Sequence, residues 1–363
     1  MTPTPAELGY RMPPEWQRHT ATWLSWPKDP ETWPDRVPQV EAIYLQMMAA
    51  LAPNEIVNLL VDDADTEAAV RARCAFPGAE NIRCHQIPTV DSWIRDYGPN
   101  FLVNNKGELA YNDWIFNAWG NKYEELKRDN SIPARLESLI KAPRFEPGIV
   151  MEGGSIEVNG AGCLLTTEQC LLNPNRNPQL SKEEIEQHLK SYLGVEKVLW
   201  LGEGIVGDDT DGHIDDIARF VAADVIVCAV EDDPEDANYE LLQDNLKRLR
   251  AMTNADGWPF DVVTLPMPGV VGGTSPGSPA GQPRWGGSTD QRNLDRLPAS
   301  YANFYIANKV VLAPVFGHAN DARALETLQR LFADRRVVGI NCEPLVWGMG
   351  TIHCVTQQQP QAI

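Results

Sequence analysis

This 363-residue chain has no long hydrophobic run, no basic excess and no cysteine pairing pattern, and each absence removes a class of function. The uninterrupted apolar run Val225 to Val230 is far too short to cross a bilayer. The opening stretch MTPTPAELGYRMPPEW lacks the basic flank and apolar core of a signal peptide, so a cytoplasmic protein with no membrane partner is expected. Lys and Arg number 31 against 50 Asp and Glu, a formal charge of −19. A nucleic-acid binder needs a basic footprint to displace counterions, and a helix lying on anionic lipid needs the same sign, so both partners are excluded. The seven cysteines are odd in number and include no C-x-x-C pair. That is neither a disulfide framework nor a zinc ribbon, and the ordinary fate of each is a buried apolar thiol.

What is present is the composition of a globular protein: 43% hydrophobic, 22% charged, with 11 Trp. One supersecondary phrase returns along the chain, a short β-branched run, an Asn/Asp-rich turn, a helix and a second short strand. It is read at Thr22 to Trp26 with Pro38 to Leu51 and Ile56 to Val61, and again from Ile56 to Val61 through a helix ending near Ala75 to Asn81 to Ile87. Three further copies start at Cys163 to Thr167, Val225 to Val230 and Val310 to Pro314. Ser181 followed by Glu183 and Glu184 marks a helix start. Five units suggest a closed α/β ring, although an open α/β sheet satisfies the same alternation. The Pro/Gly-rich stretch 266–290 holds neither helix nor strand, and is expected to be a lid or a disordered loop.

Two formal motifs fail on their mechanisms. Gly273-Thr274-Ser275-Pro276-Gly277 matches a serine-hydrolase elbow, but Pro276 has no N–H to offer an oxyanion. The acidic run from Gly207 to Asp216 places Gly and Ala where a calcium loop needs an acid and a bidentate Glu. A transition-metal site is harder to dismiss there, because His213 and Asp215 at i and i+2 share one side of a strand; a solvated acidic turn is the bland reading. The six His, at 19, 85, 188, 213, 318 and 353, are scattered, and no second His pair accompanies His213. Three other stretches combine Gly with chemistry-bearing residues: Trp93 and Asp96 before Gly98-Pro99, Glu152 before Gly153-Gly154, and Cys354 after Gly348-Met349-Gly350-Thr351-Ile352-His353. Glycine at such points lets backbone approach a ligand closely.

Taken in order, W-x-R-D-x-G-P, M-E-G-G-S, D-G-H-x-D and G-x-I-H-C-x-T-Q-Q-Q-P resemble the agmatine deiminase and bacterial peptidylarginine deiminase-type family of guanidine-modifying enzymes. Similar connecting segments at residues 12–16, 166–178 and 299–308 extend the resemblance over essentially the whole chain. It implies a five-bladed α/β propeller of ββαβ units, pentein-like, forming one catalytic domain over residues 1–363 with the site in the central channel. It also implies Cys354 as nucleophile, His213 as general acid/base, Asp96 and Asp215 holding guanidinium nitrogens, Glu152 assisting and Trp93 lining the channel. Neither metal nor organic cofactor is required, and a homodimer is the family-level expectation. His353 is expected to point to the opposite face of a strand from Cys354 and takes no role.

The substrate implied is a small cationic guanidino compound, with agmatine hydrolysed to N-carbamoylputrescine and ammonia on the way to putrescine. Asp208, in the acidic loop before Gly212-His213, is a candidate for the distal amine; peptidyl-arginine or another guanidino compound is the alternative. Where the family's tail has three glycines and an Asn before I-H-C, this chain has Gly348-Met349-Gly350-Thr351. A metal-dependent hydrolase built on His213 and nearby acids, and a non-catalytic repeat scaffold, remain the competing readings.

Overall fold

The computed structural model describes residues 3–272 and 296–362. Runs such as Ile56–Val61 and Val225–Val230 are β-branched and buried along most of their length, which suits strands covered on both faces. They pair in parallel, and a parallel pair needs a crossover rather than a tight hairpin. The crossovers are the helices: Val37–Leu51, Ala64–Arg73, Lys182–Leu193, Tyr239–Ala251 and Asp321–Leu331. Lys182–Leu193 shows why the chain turns helical there. Ser181 Oγ accepts from Glu184 N at 3.2 Å, while Glu184 Oε2 accepts from Ser181 N at 2.7 Å, and Gly194 ends the helix at φ 64°. Its inward face is Ile185, Leu189 and Leu193, one residue per helical turn.

Among the described residues, five separate sheets result. The first contains Tyr10–Arg11, Asn100–Asn104, Leu109–Asn112 and Arg144–Phe145. The second contains Glu157–Val158, Cys163–Thr167 and Lys197–Leu201; the third Ala218–Ala222, Val225–Val230 and Asp261–Pro266; the fourth Tyr305–Ile306, Val310–Val315 and Arg336–Asn341. In the fifth, the late strand Gln357–Pro360 lies antiparallel on His19–Ser25, which continues in parallel to Ile56–Val61 and Ile82–Gln86. Every sheet joins an antiparallel pair to a parallel pair across a helical crossover. Among the described residues, no helix is long and apolar enough to cross a membrane.

The repeated phrase is therefore present, with its units divided differently from the sequence reading. The two units expected around Ile56–Val61 share that strand and belong to one sheet. The unit the periodicity passed over is the first sheet, whose crossover is broken into Ala118–Asn121, Ile132–Arg135 and Glu137–Ile140. Four-residue helices carry no 3.6-residue stripe, and the closing strand is only Arg144–Phe145. Strand Asp261–Pro266 runs into the Pro/Gly stretch; the G-x-S-x-G at 273–277 and most of the 266–290 loop lie outside the described residues.

The capping box makes one local prediction. Ser181→Ala is expected to lower stability by about 1 kcal/mol, read as a lower urea midpoint with unchanged slope.

Candidate active site

The four motif segments meet, and none of their functional residues sits inside a strand. Trp93 precedes the single helical turn Ile94–Tyr97, which carries Asp96. The turn must end at once: a Cβ on Gly98 would lie 2.2 Å from the Ile94 carbonyl oxygen. Glu152 precedes a second short turn, Gly153–Ser155. His213 and Asp215 were expected on one side of a strand, but they flank and enter the 3-10 turn Ile214–Asp216, and the strand begins only at Ala218. Cys354 likewise lies in a turn three residues before the strand Gln357–Pro360. The strand argument that set His353 aside therefore does not apply.

Gly154 shows how tightly these turns converge. A Cβ there would stand 2.6 Å from His213 Nδ1, 2.9 Å from Asp96 Oδ1 and 3.1 Å from Asp215 Oδ2. Its backbone N–H donates to Asp96 Oδ1 at 2.9 Å, and Trp119 Nε1 donates to Asp96 Oδ2 at 2.9 Å. Asp215 Oδ2 accepts from His353 Nδ1 at 2.7 Å and lies 3.8 Å from Cys354 Sγ. Asn303 Nδ2 stands 3.2 Å from the same sulfur. Glu152 Oε1 accepts from Arg176 Nε at 2.8 Å. Buried Asp215 Oδ1, Glu152 Oε2 and both ring nitrogens of His213 find no hydrogen-bond partner among the described residues. Open buried polar groups of this kind are costly unless a ligand completes them.

A cleft of about 360 Å³ opens on this group, lined by Trp93, Asp96, Trp119, Tyr123, Asp209, Thr210, Gly348, Met349, Gly350 and Cys354. Trp93 is fixed by its Nε1–H to Asp91 Oδ2 at 3.0 Å and by Trp33, whose ring lies 5.5 Å away. Gly350 is needed here, because a Cβ would come within 2.7 Å of Trp93 and 3.1 Å of Cys354 Sγ. At Met349, where the resemblance leads one to expect glycine, the backbone holds φ 74°, a region L side chains rarely adopt. Asp208 is not free to meet a ligand. Its Oδ1 accepts from Thr210 N and Oγ1 at 2.8 and 2.6 Å, and its Oδ2 from Gly212 N and His213 N at 2.9 and 3.1 Å. It ties the loop that presents His213, and its neighbour Asp209 faces the cleft instead, with Oδ2 accepting from the Tyr123 hydroxyl and Oδ1 3.5 Å from Lys122 Nζ.

Charge in the site is balanced unevenly. Burial pushes Asp96 up to about 6, against the opposing pull of His213. Asp215 falls below its ordinary value: burial acts upward, but His353, His213 and Arg219 outweigh it. Burial works against a charged His213 ring, yet Asp96, then Cys170 and Asp215, raise its pKa well above the usual histidine value. The Cys354 thiol is driven well above an ordinary thiol, first by burial and then by Asp215, Asp216 and Asp96. Glu152, Cys170 and His213 carry potential metal-ligand atoms within 4.8 Å of one another. Arg176, however, already gives Glu152 its positive partner, and is itself fixed by Asp211 Oδ2 and Asn175 Oδ1, both at 2.7 Å.

A profile of the Porphyromonas-type peptidyl-arginine deiminases matches residues 11–360. The chain belongs to that family. Among its relatives, the agmatine deiminase of Ectopseudomonas mendocina is 40% identical over 365 residues, covering 99% of this chain and 98% of the relative. Among solved structures, the agmatine deiminase of Enterococcus faecalis, described as catalysing its reaction, is 37% identical with a TM-score of 0.90, covering 100% of this chain and 99% of that one. A cysteine-to-serine variant of the C. jejuni agmatine deiminase with substrate bound is 28% identical with a TM-score of 0.84, covering 98% and 97%.

Arg176 and Asn303 were missed by the sequence reading, although both fall inside segments that carried the family resemblance. Neither stands in a glycine-containing motif, the signal that drew attention to the other residues. For this family member, Gly154→Ala is expected to abolish turnover while leaving the melting temperature within a few degrees. Retained activity would show that the three functional atoms can move apart freely.

Proposed function

We propose that this protein is a cysteine-dependent agmatine deiminase, converting agmatine and water to N-carbamoylputrescine and ammonia. The observation that carries the reading is the cluster around Gly154: a buried thiol 3.8 Å from one oxygen of Asp215, with the other oxygen of that carboxylate open, and Asp96 and His213 alongside.

A guanidinium is a planar delocalised cation whose carbon is a poor electrophile. Carboxylates in its plane accept its N–H groups and fix it for attack, roles given to Asp96 and Asp215. The bound cation offsets the negative charge that holds the Cys354 thiol protonated, so substrate helps to form its own thiolate. Sulfur adds to the guanidinium carbon to give a tetrahedral adduct. His213 gives its proton to the departing nitrogen, ammonia leaves, and a thiouronium remains on Cys354. Water, deprotonated by the same His213, adds to that carbon, and on collapse the remaining hydroxyl proton passes to sulfur as the C–S bond breaks, restoring the Cys354 thiol and releasing the ureido product. Glu152, held by Arg176, assists at the His213 side. Trp93 and Trp119 form apolar walls for the alkyl chain, and Asp209 receives the distal ammonium. We further infer that the five sheets stand as blades about a common axis, so that residues 1–363 form one catalytic unit. The unpaired thiols at all seven cysteines suit the reducing cytoplasm, and a homodimer is the assembly the family suggests.

The second reading, a peptidyl-arginine substrate, takes its support from the family's description. The second acid in the cleft lining, Asp209, suits the distal ammonium of agmatine and favours the free guanidino compound. Assayed for ureido product on agmatine, free arginine and an arginyl peptide, the enzyme is expected to turn over agmatine best. Cys354→Ala should be inactive, and a chelator should leave the wild type unaffected; no turnover on any of the three compounds would reject the reading. Asp209→Asn is expected to raise KM for agmatine by roughly tenfold with little change in kcat, the pattern of a lost uniform binding contact.

A further inference from the structure

One buried carboxylate in this protein comes from far outside the four motifs. Glu15, 4% exposed, lies in the Met12-Pro13-Pro14-Glu15-Trp16 segment, more than three hundred residues before the nucleophile in sequence. Its Oε2 stands 2.8 Å from His353 Nε2, and the opposite ring nitrogen, Nδ1, stands 2.7 Å from Asp215 Oδ2. Both nitrogens of the ring thus face carboxylate oxygens, so the ring is held from two sides. Glu15 is fixed in turn. Its Oε1 lies 2.9 Å from Arg219 Nη2 and accepts from Ile306 N at 2.7 Å, and Arg95 Nη2 stands 3.5 Å from Oε2. The His353 backbone N–H donates to Asn303 Oδ1 at 3.0 Å, so the ring's origin is pinned by the residue that touches Cys354 Sγ.

We propose that Glu15 and His353 are positioning residues of the reaction, holding Asp215 charged with Oδ2 committed to His353 and Oδ1 left open for a substrate N–H. The inference rests on the deiminase reading and adds to it a line of charge running from the N-terminal segment to the site. Asp215 is faced by His353, His213 and Arg219 on the positive side and by Asp96, Asp216 and the Cys354 thiol on the other. Removing the first of these leaves a wholly buried carboxylate with less compensation, and its proton affinity rises. Two opposite effects follow. Asp215 loses its grip on a guanidinium as pH falls, and Cys354 loses a negative neighbour and ionises more easily.

The test compares Glu15→Gln and His353→Gln with the wild type, using Glu157→Gln as control. Glu157 shares the Arg219 partner, with its Oε2 2.9 Å from Arg219 Nε. The ratio of wild-type to variant kcat/KM should widen as pH falls, by up to about tenfold per unit once Asp215 binds a proton. In the control the ratio should stay flat across pH. Without any substrate, the pH at which iodoacetamide begins to alkylate Cys354 should move down in both relay variants and remain in place in the control. A flat ratio and an unmoved alkylation profile in whichever relay variant folds would overturn the proposal. The alkylation arm separates this outcome from failure of the deiminase reading, since it needs no turnover.

Discussion

A carboxylate stays charged inside a protein only when positive charge and hydrogen-bond donors are brought to it, and much of this molecule is arranged around that requirement. Asp96, Glu152, Asp215 and Asp216 are all buried near one thiol. Glu152 is met by Arg176, and Asp215 by His353 with Arg219 behind it. Asp96 receives only hydrogen bonds and a histidine 3.8 Å away, and burial leaves its pKa up at about 6. The account is deliberately unequal: some acids are neutralised by the chain and some are left wanting a cation. A guanidinium is shaped to be that cation, since it offers in-plane N–H groups to several acceptors at once.

The same crowding dictates the backbone. Acids, a histidine and a thiol can be drawn from distant parts of a chain to one point only if the backbone there has no bulk of its own. That is why Gly153 and Gly154 occur together: a Cβ on the first would strike the Arg95 carbonyl oxygen at 2.1 Å, and one on the second would occupy the site itself. It also explains why the functional residues stand in turns between strands. A turn of three or four residues can aim adjacent side chains to one side, as it does with His353 and Cys354, which both stand against Asp215 Oδ2, whereas the interior of a strand alternates them. The sheets supply rigid posts, and the C-terminal strand Gln357–Pro360, locked onto His19–Ser25, anchors the turn that holds Cys354.

Much of this could be read from the sequence, for reasons that differ residue by residue. The strands at 163–167, 225–230 and 310–315 announce themselves by β-branched runs, and the helices between them by capping residues and periodic apolar faces. Cys354, His213, Asp96, Asp215, Glu152 and Trp93 were singled out because each lies in one of four glycine-containing motifs that occur in order. Asp208 was assigned to the ligand on charge alone, and charge does not reveal that its oxygens are already occupied by the backbone of its own loop. His353 was set aside by a strand rule that fails in a turn, and Glu15 was passed over because it lies in a connecting segment far from every motif. Long-range ion pairs between a single early acid and a late histidine have no periodicity and no spacing, so only the fold makes them visible.

Burial and its acidic neighbours hold Cys354 protonated until a cation arrives. The direct measurement is the ultraviolet thiolate absorbance of the full-length enzyme at neutral pH, taken as the difference from Cys354→Ser, before and after adding a non-hydrolysable guanidinium compound. No Cys354-dependent thiolate should be present in the free enzyme, and it should appear as the guanidinium binds. A thiolate already present in the free enzyme, and unaffected by the cation, would contradict the account.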